Sequence, residues 1–334
     1  MNAADRRTIA LDYAGGAALS PVLRDELTLY HSDQWREALC DMYGYRPFPR
    51  SIERNGVVVG LANLVVTFPL GRTVVRSPPA SMYGHLVADT EDDERELIAL
   101  LEEEASRSRA ALSIGTLRPA THTLHRIDTR IDARVGLGTE QSCWETLSGS
   151  ARRNVRRSRR EAVRIAAGDC ADLDEFMQVL ASTRRRLGLP LPPRSWLKRL
   201  LSSGLAGLVV ARSRGRLCAA ILFVSDEHSV HYSIPAYSDE GARLRSLDGC
   251  VWELMRMAVA ERRSWLCLGG SGPEDEGLRR FKRKWGAEER PIHTLANRPR
   301  SARLGTRAVR HRLTSMLPTP ALELMGHACL RYLV

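Results

Sequence analysis

Lysine is nearly absent from this chain of 334 residues. Of its 50 basic residues only Lys198, Lys282 and Lys284 are lysine, and the other 47 are arginine. Together with the many Ala, Gly and Leu residues, this bias is typical of a GC-rich coding sequence, so net charge alone says little about function. At Lys282, between Phe281 and Trp285, a lysine in such a chain favours a site that an arginine would fit badly.

Long hydrophobic runs are also missing. The longest, "VVVGLANLVVTFPL" (57–70), is interrupted by Gly60, Asn63 and Pro69 and is shorter than the ~20 apolar residues of a membrane span. We therefore expect no transmembrane helix. The beginning, "MNAADRRTIALDYAGG", contains acids and lacks the apolar core of a signal peptide. The sequence thus favours a cytoplasmic protein.

The seven cysteines form no close CxxC pair and are odd in number, which indicates free thiols in a reducing compartment and no zinc or redox motif. His228 and His231 are three residues apart on a predicted strand, where odd spacing places two side chains on opposite faces. No metal site is expected.

Composition places the chain among globular proteins of about two domains, with 43% hydrophobic and 27% charged residues. Its formal net charge of +11 is compatible with a polyanionic partner, because clustered cations attract phosphates. Clustering of the basic residues in one segment would favour such a partner, whereas an even spread would favour coding bias.

Hydrophobic periodicity predicts an α+β protein, because antiparallel strands are followed by a helix and a further strand. Helices are expected at 33–43, 91–107, 150–166, 173–187, 193–201 and 247–262. Strands are expected at 51–53, 57–68, 111–117, 205–213, 217–226, 228–236 and 264–268. We divide the chain into domains 1–147 and 148–298 and a basic, then amphipathic tail, 299–334, which would cap a domain or alternatively touch a membrane surface.

Six stretches carry a resemblance to a known family. The chain resembles the FemAB-like branch of the Gcn5-related N-acetyltransferase (GNAT) superfamily, and it is especially similar to FemAB-like proteins associated with exosortase/PEP-CTERM loci. The stretches occur in the family's order and are "YHSDQWREALCDMYGY" (30–45), "SPPASMYGHLVAD" (77–89), "SARRNVRRSRREAVRI" (150–165), "RRLGLP" (185–190), "LCLGGS" (266–271) and "GLRRFKRKWGAEERPI" (277–292).

The resemblance implies tandem GNAT-like domains, each a mixed, mainly antiparallel sheet flanked by helices, with the reaction centre chiefly in the second. It also implies transfer of an acyl or aminoacyl group to an amine; well-understood relatives use aminoacyl-tRNA to modify a peptidoglycan precursor. Two positions depart from the pattern. Where the exosortase-associated relatives have a stretch like "FDFGRS", Cys267 replaces an acid and Gly270 an arginine, which puts the roles of those positions in question.

Lys282 is the candidate catalytic residue. Acyl transfer to an amine needs a donor that stabilises the developing oxyanion, and a lysine ammonium is a compact point charge that a planar guanidinium does not replace. Phe281 and Trp285, four residues apart, share a helical face and would line the acyl pocket or stack on a terminal adenine. The alternatives are a solvated charge run for Lys282 and core packing for the two aromatic residues.

Three further residues are candidates for substrate binding. Tyr83 stands in "MYGH", where the family has a Tyr-Gly pair, and would face the acceptor. His231 or Tyr232 would line the pocket, and a structural histidine with satisfied hydrogen bonds is the simpler interpretation of His231.

The segment 150–165 contains seven arginines and one acid. A helix here would place most of the arginines on one broad stripe, which favours phosphate contact with tRNA or with an acceptor that carries pyrophosphate. Coding bias on an exposed helix is the alternative. The candidate phosphate-binding residues are Arg152, Arg153, Arg156, Arg157 and Arg160.

The acyl donor is inferred from a missing motif. Acyl-CoA enzymes of this superfamily present a loop like [QR]-x-x-G-x-[GA] whose amides hold the pyrophosphate, and "SDEGARLRSLDGCVWELMRM" (238–257) does not match it. We therefore predict an aminoacyltransferase that uses aminoacyl-tRNA as donor co-substrate, with no bound cofactor and an envelope-precursor or small-molecule amine as acceptor. The alternatives are an N-acyltransferase that uses acetyl-CoA or another acyl-CoA, and a non-catalytic nucleic-acid or envelope-assembly binding module.

Overall fold

The computed structural model describes residues 12–118, 124–298, 314 and 316–333. The α-helices of this part are α1 (Pro21–Glu26), α2 (Asp33–Tyr43), α3 (Glu91–Arg107), α4 (Glu140–Thr146), α5 (Gly149–Arg160), α6 (Leu173–Leu187), α7 (Arg194–Ser202), α8 (Asp239–Leu244), α9 (Ser246–Ala260), α10 (Glu276–Arg283) and α11 (Thr319–Ala328). The strands are β1 (Arg46–Arg54), β2 (Val57–Thr67), β3 (Val74–Arg76), β4 (Val87–Ala88), β5 (Ala111–Thr116), β6 (His125–Gly136), β7 (Arg164–Gly168), β8 (Ala206–Ser213), β9 (Arg216–Ser225), β10 (Ser229–Tyr237), β11 (Trp265–Ser271) and β12 (Glu288–Ala296).

The described strands form one twelve-stranded mixed sheet in the order β1-β2-β3-β5-β12-β6-β11-β10-β9-β8-β7, with β4 paired to β2. Most neighbours are antiparallel; β3 and β5, and β10 and β11, are parallel. The predicted α+β class, a mainly antiparallel mixed sheet flanked by helices, is therefore confirmed.

Two strands join the halves of the chain. The long strand β6 comes from the first half and pairs with β11 of the second, while β12 of the second half lies between β5 and β6. The two predicted tandem units thus share one continuous sheet. The boundary at residue 147 stays a prediction.

Helices cover both faces of the second half of the sheet. Along β9, Leu222 and Val224 contribute to a core with α6 and α7, whereas Ile221 and Phe223 contribute to a core with α5 and α9. Because side chains alternate between the faces of a strand, β9 is buried on both sides. The first half has a smaller core between its strands and α3.

Several predicted bounds agree with the structure, and α2, α3 and α6 agree to the residue. The helix predicted at 150–166 is wrong at its end: α5 stops at Arg160, Ala162 adopts a left-handed φ of 53°, and Arg164 starts β7. Arg164 therefore does not belong to the arginine stripe, because the chain reverses direction between the two elements.

The described part of the tail packs on the protein. Leu322 of α11 is fully buried in the core with α6 and α7, and a Cβ at Gly326 would lie 1.9 Å from the carbonyl oxygen of Leu191. The Tyr45 hydroxyl donates to the carbonyl of Leu330. This is the capping arrangement; the basic residues 299–313 of the tail lie outside the described residues. No helix in the described part combines the length and apolarity needed to cross a bilayer.

Candidate active site

The strands β10 and β11 diverge inside the sheet. They pair in parallel over three residues, Ser229–His231 with Trp265–Cys267, and then continue to Tyr237 and Ser271 without pairing with each other. Where two strands separate, their backbone N–H and C=O groups no longer pair with each other and need other partners. The polar side chains described next surround this divergence.

A bulge in β11 turns one carbonyl towards α10. The register between β11 and β6 shifts between Cys267 and Gly269, and Gly269 has φ +74°, a conformation that glycine adopts without steric cost. The Lys282 Nζ donates a hydrogen bond to the Gly269 carbonyl oxygen. A Cβ at position 269 would lie 1.9 Å from the Met82 Cε, so Met82 covers the bulge.

Lys282 is buried, with 2% of its surface exposed. Burial lowers the pKa of Lys282 to about 8, attraction by Asp132, Glu289 and Asp275 opposes that change, and Arg130 reinforces it. Burial disfavours a charged ammonium. Lys282 is therefore a buried amine with a pKa of about 8, and the solvated charge run considered from the sequence does not describe it.

Asp132 of β6 organises the polar groups beside Lys282. This fully buried carboxylate accepts hydrogen bonds from the Tyr83 hydroxyl and, at 3.0 Å, from the Arg290 Nε. Arg290 also pairs with Glu26 at 3.0 Å. Burial, with the nearby Cys267 and Asp132, raises the pKa of Tyr83. Tyr83 is therefore a neutral hydroxyl committed to Asp132.

His231 belongs to a second buried cluster. Its Nε2 lies 2.8 Å from the Ser229 Oγ and 3.2 Å from the Asp226 Oδ2, and Asp226 also accepts the backbone N–H of Leu29 at 3.0 Å. Burial alone would lower the pKa of His231, but Cys267 and Asp226 outweigh it and raise the pKa. Burial would likewise raise the pKa of Asp226, but the bond to His231 and the other donors lower it. The charged pair ties the β9–β10 turn to the first half of the chain.

The aromatic candidates lie on the other side of α10. Trp285 is fully buried in the core with α5 and α9, while Phe281 is partly buried, with its ring centroid 6.4 Å from that of Trp285 and 6.2 Å from that of Tyr232. Lys284 lies 4.5 Å above the Phe281 ring. For Trp285 this placement favours core packing over stacking on a base. Phe281 and Tyr232 remain candidates for the pocket wall.

Helix α5 presents arginines on its outer side. Ala151, Val155 and Ser158 are buried and pack towards α9, where a Cβ at Gly249 would lie 2.7 Å from the Ser158 Oγ. Arg157 pairs with Glu161 at 4.0 Å. Within the described ranges no carboxylate pairs with the other arginines of the helix, Arg152, Arg153, Arg156, Arg159 and Arg160. Arg156 and Arg159 lie over the Trp144 ring, 5.6 and 6.0 Å from its centroid, whereas Arg152, Arg153 and Arg160 are available to an external anion.

Cys267 and Gly270 depart from the family pattern, in which an acid and an arginine stand at these positions. In this structure a carboxylate and a guanidinium from other segments lie nearby. Cys267 lies opposite His231 in the parallel pair, and the carboxylate next to that imidazole comes from Asp226. At Gly270 a guanidinium is also present, because the Arg130 Nη2 of β6 donates to the Gly270 carbonyl at 3.1 Å.

The sequence interpretation missed Asp132, Asp226, Arg130 and Arg290. Three of them lie on β6 and β12, two strands that the periodicity analysis did not predict; the alternation of charged and apolar residues in "RIDTRIDARV" (126–135) was a usable signal. In the part of the chain that the structure describes, no group of three or more His, Cys, Asp or Glu side chains is arranged to hold a metal ion.

Residues 149–283 match the family model described as an acetyltransferase (GNAT) domain. No curated protein matches the chain.

Among solved structures the chain is similar to FemX, with a TM-score of 0.62 and 14% identity over 78% of this chain and 90% of FemX. It is also similar to the C-terminal domain (DUF2156) of a putative lysylphosphatidylglycerol synthetase from Agrobacterium fabrum, with a TM-score of 0.56 and 14% identity over 79% of this chain and 86% of that one. For L-PGS from Bacillus licheniformis the values are 0.50 and 16%, over 85% and 96%. At such identities the likeness concerns the fold.

The matched domain contains α5, the diverging strands and Lys282, and the similarity to FemX extends over 78% of the chain. Residues 149–283 thus match an acetyltransferase (GNAT) domain, and the fold of the chain is similar to that of FemX.

Proposed function

We propose that the protein transfers an aminoacyl group from aminoacyl-tRNA to an amine of a cell-envelope precursor or small molecule, and that it does so in the cytoplasm. The observation that carries the proposal is the buried Lys282 ammonium on the Gly269 carbonyl, beside two strands that separate. The transfer forms an amide bond, or an ester bond if the acceptor is a hydroxyl.

Lys282 supports the reaction as a hydrogen-bond donor. The acceptor amine attacks the ester carbonyl, a C–N bond forms, and the carbonyl oxygen gains negative charge. A lysine ammonium has three N–H donors; one is used by Gly269, and another donates to this oxygen. Collapse breaks the C–O bond to the ribose, and the tRNA 3′-hydroxyl leaves with the proton of the amine. Such a donor is most effective where water is excluded.

The preference for tRNA as donor is supported by α5. Arg152, Arg153 and Arg160 present their guanidinium groups without a carboxylate partner among the described residues, and arginines of this kind gain affinity for nucleic acid by releasing counterions. Because α5 belongs to the same matched domain as Lys282, a tRNA held on α5 would present its acylated end to that domain.

An acyl-CoA donor is the second candidate, and one observation favours it. Helix α9 begins after Arg245, which adopts a left-handed conformation and makes no side-chain capping bond. Free amides at the start of a helix bind phosphates, so the pyrophosphate of coenzyme A would fit there. The loop sequence does not match the superfamily pattern, and the proposal therefore keeps tRNA as the donor.

Single-turnover assays test the donor. Purified protein is incubated with hydroxylamine as acceptor and either charged tRNA or acetyl-CoA, and formation of the hydroxamate is measured. We expect faster formation than without protein from charged tRNA only. Turnover of acetyl-CoA alone would contradict tRNA as the donor and support an acyl-CoA donor instead. Inertness with both donors, accompanied by tight and salt-sensitive RNA binding, would identify a non-catalytic binding module instead.

A further inference from the structure

Arg130 is an exposed residue of β6 that lies across the bulged part of β11. Its Nη2 donates to the Gly270 carbonyl at 3.1 Å. Lys282 donates to the carbonyl of the preceding residue, Gly269. Two side-chain cations thus bind successive peptide groups of one strand, and they are close enough that Arg130 helps to lower the pKa of Lys282.

Because Gly270 has no side chain, the side chain of Arg130 can lie directly over it. A Cβ there would lie 2.9 Å from the Arg130 Nε, so the guanidinium would have to shift, and it would be in contact with the Arg130 Cβ at 3.4 Å. Gly270 has no left-handed backbone angle that would otherwise require glycine. The glycine is therefore explained by the arginine that lies over it.

The surrounding carboxylates are already paired. Asp132 accepts from Tyr83 and Arg290, Arg290 shares Glu26 with Arg134, and Glu289 pairs with Arg279 at 2.6 Å. Among the described residues no carboxylate pairs with Arg130 itself. Two neighbouring cations that repel each other, one of them unpaired and accessible, form an incomplete site that an anion would complete.

We propose that Arg130 binds an oxyanion group, a phosphate or a carboxylate, that a substrate carries next to the acyl carbonyl polarised by Lys282. A guanidinium suits this role because its fork donates two parallel hydrogen bonds to such a group. The inference deepens the proposed function and rests on it for the position of the carbonyl. It adds the class of substrate: a molecule with a negative charge close to the reacting group.

The scarcity of lysine makes this site measurable. Labelling lysine with ¹³C at Cε gives signals from three side chains, Lys198, Lys282 and Lys284, and the variant Lys282→Arg identifies the signal of Lys282. Inorganic phosphate and acetate are titrated separately into the full-length protein. Because a nearby anion favours the ammonium, we expect a saturable rise of about one unit in the pKa of Lys282.

Variants test the role of Arg130. Arg130→Gln is expected to weaken the saturable response about tenfold, equivalent to the ~1.4 kcal/mol of a charge-assisted bond. Gly270→Ala keeps the charge but displaces the guanidinium, and it is expected to weaken the response to a similar degree. The matched control is Arg126→Gln, four residues earlier on the same strand, which is expected to leave the response unchanged.

Comparison of inorganic phosphate with acetate also identifies the chemical class of the anion. A stronger response to phosphate than to acetate indicates a phosphoryl group, and the reverse indicates a carboxylate. If saturating deacylated tRNA abolishes the response, the donor carries the anion; if the response persists, the acceptor does. The inference is overturned if neither probe changes the Lys282 signal, or if Arg130→Gln binds as tightly as the parent. Since no turnover is measured, the phosphate and acetate titrations and the Arg130→Gln result are independent of whether charged tRNA is the donor; only the competition with deacylated tRNA rests on that assignment.

Discussion

The side chain of Lys282 donates its hydrogen bond to the main-chain carbonyl of Gly269, thirteen residues earlier in the chain. Helix α10 and the bulge of β11 are thereby joined at the point where β10 and β11 separate. Under the proposed function this relationship favours a lysine here: a single nitrogen with three donors would bind the peptide and a reacting oxygen, whereas a guanidinium would have to fit its planar fork into a buried space.

Replacement of Lys282 tests that role. Lys282→Arg keeps the charge and changes the shape of the donor, and we expect transfer to slow at least about 100-fold, the usual effect of removing one oxyanion donor. Lys198→Arg, at an exposed position, serves as the control and should retain the parent rate. Single-turnover rates with saturating donor measure the effect. Parent-like transfer by Lys282→Arg would contradict the assignment.

The pH dependence distinguishes a donor from a base. Burial lowers the pKa of Lys282 to about 8, so the ammonium is present below that pH and is lost above it. If Lys282 acts as a donor, the rate should fall as the pH rises from about 7 to 9. Hydroxylamine is the suitable acceptor because it is neutral across this range. A rate that instead rises through pH 8 would show that the neutral amine of Lys282 is the active form.

Charge removal on α5 tests tRNA binding. The combined variant with Gln at Arg152, Arg153 and Arg160 should bind tRNA more weakly. The slope of log K against log salt concentration should become shallower by about one for each phosphate that the variant no longer neutralises. Arg107→Gln on α3, where the arginine is exposed and paired with Glu103, is the control. Unchanged affinity and slope in the triple variant would remove α5 from the tRNA site.

The Asp226–His231 pair should stabilise the fold. Asp226→Asn leaves a buried imidazole without its carboxylate, and we expect the free energy of unfolding to fall by about 3 kcal/mol. Urea denaturation measures the change. Asp239→Asn is the control, since that exposed carboxylate pairs with Arg186 at the surface and such pairs contribute little.

The same pair has a defined pH dependence. The pKa of His231 is raised to about 10, so its stabilisation is full below its ordinary value of about 6.5 and is lost as the pH rises towards about 10. The difference in stability between the parent and Asp226→Asn should therefore shrink above about pH 6.5. A difference that stays constant up to about pH 9 would show that His231 is neutral in the folded protein.

Gly269→Ala tests the bulge. The positive φ of 74° and the proximity of Met82 both oppose a side chain, and we expect destabilisation of about 1–3 kcal/mol. Met82→Ala, combined with it, removes the steric part and leaves the backbone part, so the double variant should be destabilised by less than the sum of the two single variants. Strict additivity in thermal or urea unfolding would show that Met82 does not press on the bulge.

The local elements of the second half could be predicted because their signals are local. Helix α6 has apolar residues at helical spacing and ends at Gly188 in the left-handed conformation, and β8 and β9 are apolar runs separated by the turn at Gly215. Such patterns depend on neighbours within a few residues. The family resemblance then added the fold, and it supported the prediction that Lys282 is catalytic.

The strands β6 and β12 were not predicted because they contain many polar residues, and the partners of these residues lie on strands that are distant in the sequence. Asp132 and Arg290 are 158 residues apart in the chain, and no local pattern indicates that they pair. The same holds for Arg130 over Gly270, which are 140 residues apart.

The sequence by itself determined the α+β class, the helices and strands with strong apolar periodicity, and the unusual lysine beside two aromatic residues. The tertiary structure alone decided that Lys282 is buried on a backbone carbonyl, that Asp132 and Asp226 are paired in the interior, and that Arg130 has no carboxylate partner among the described residues. The physical reason is that burial and pairing of charges depend on which distant segments the sheet brings together, whereas periodicity depends only on the geometry of a single element.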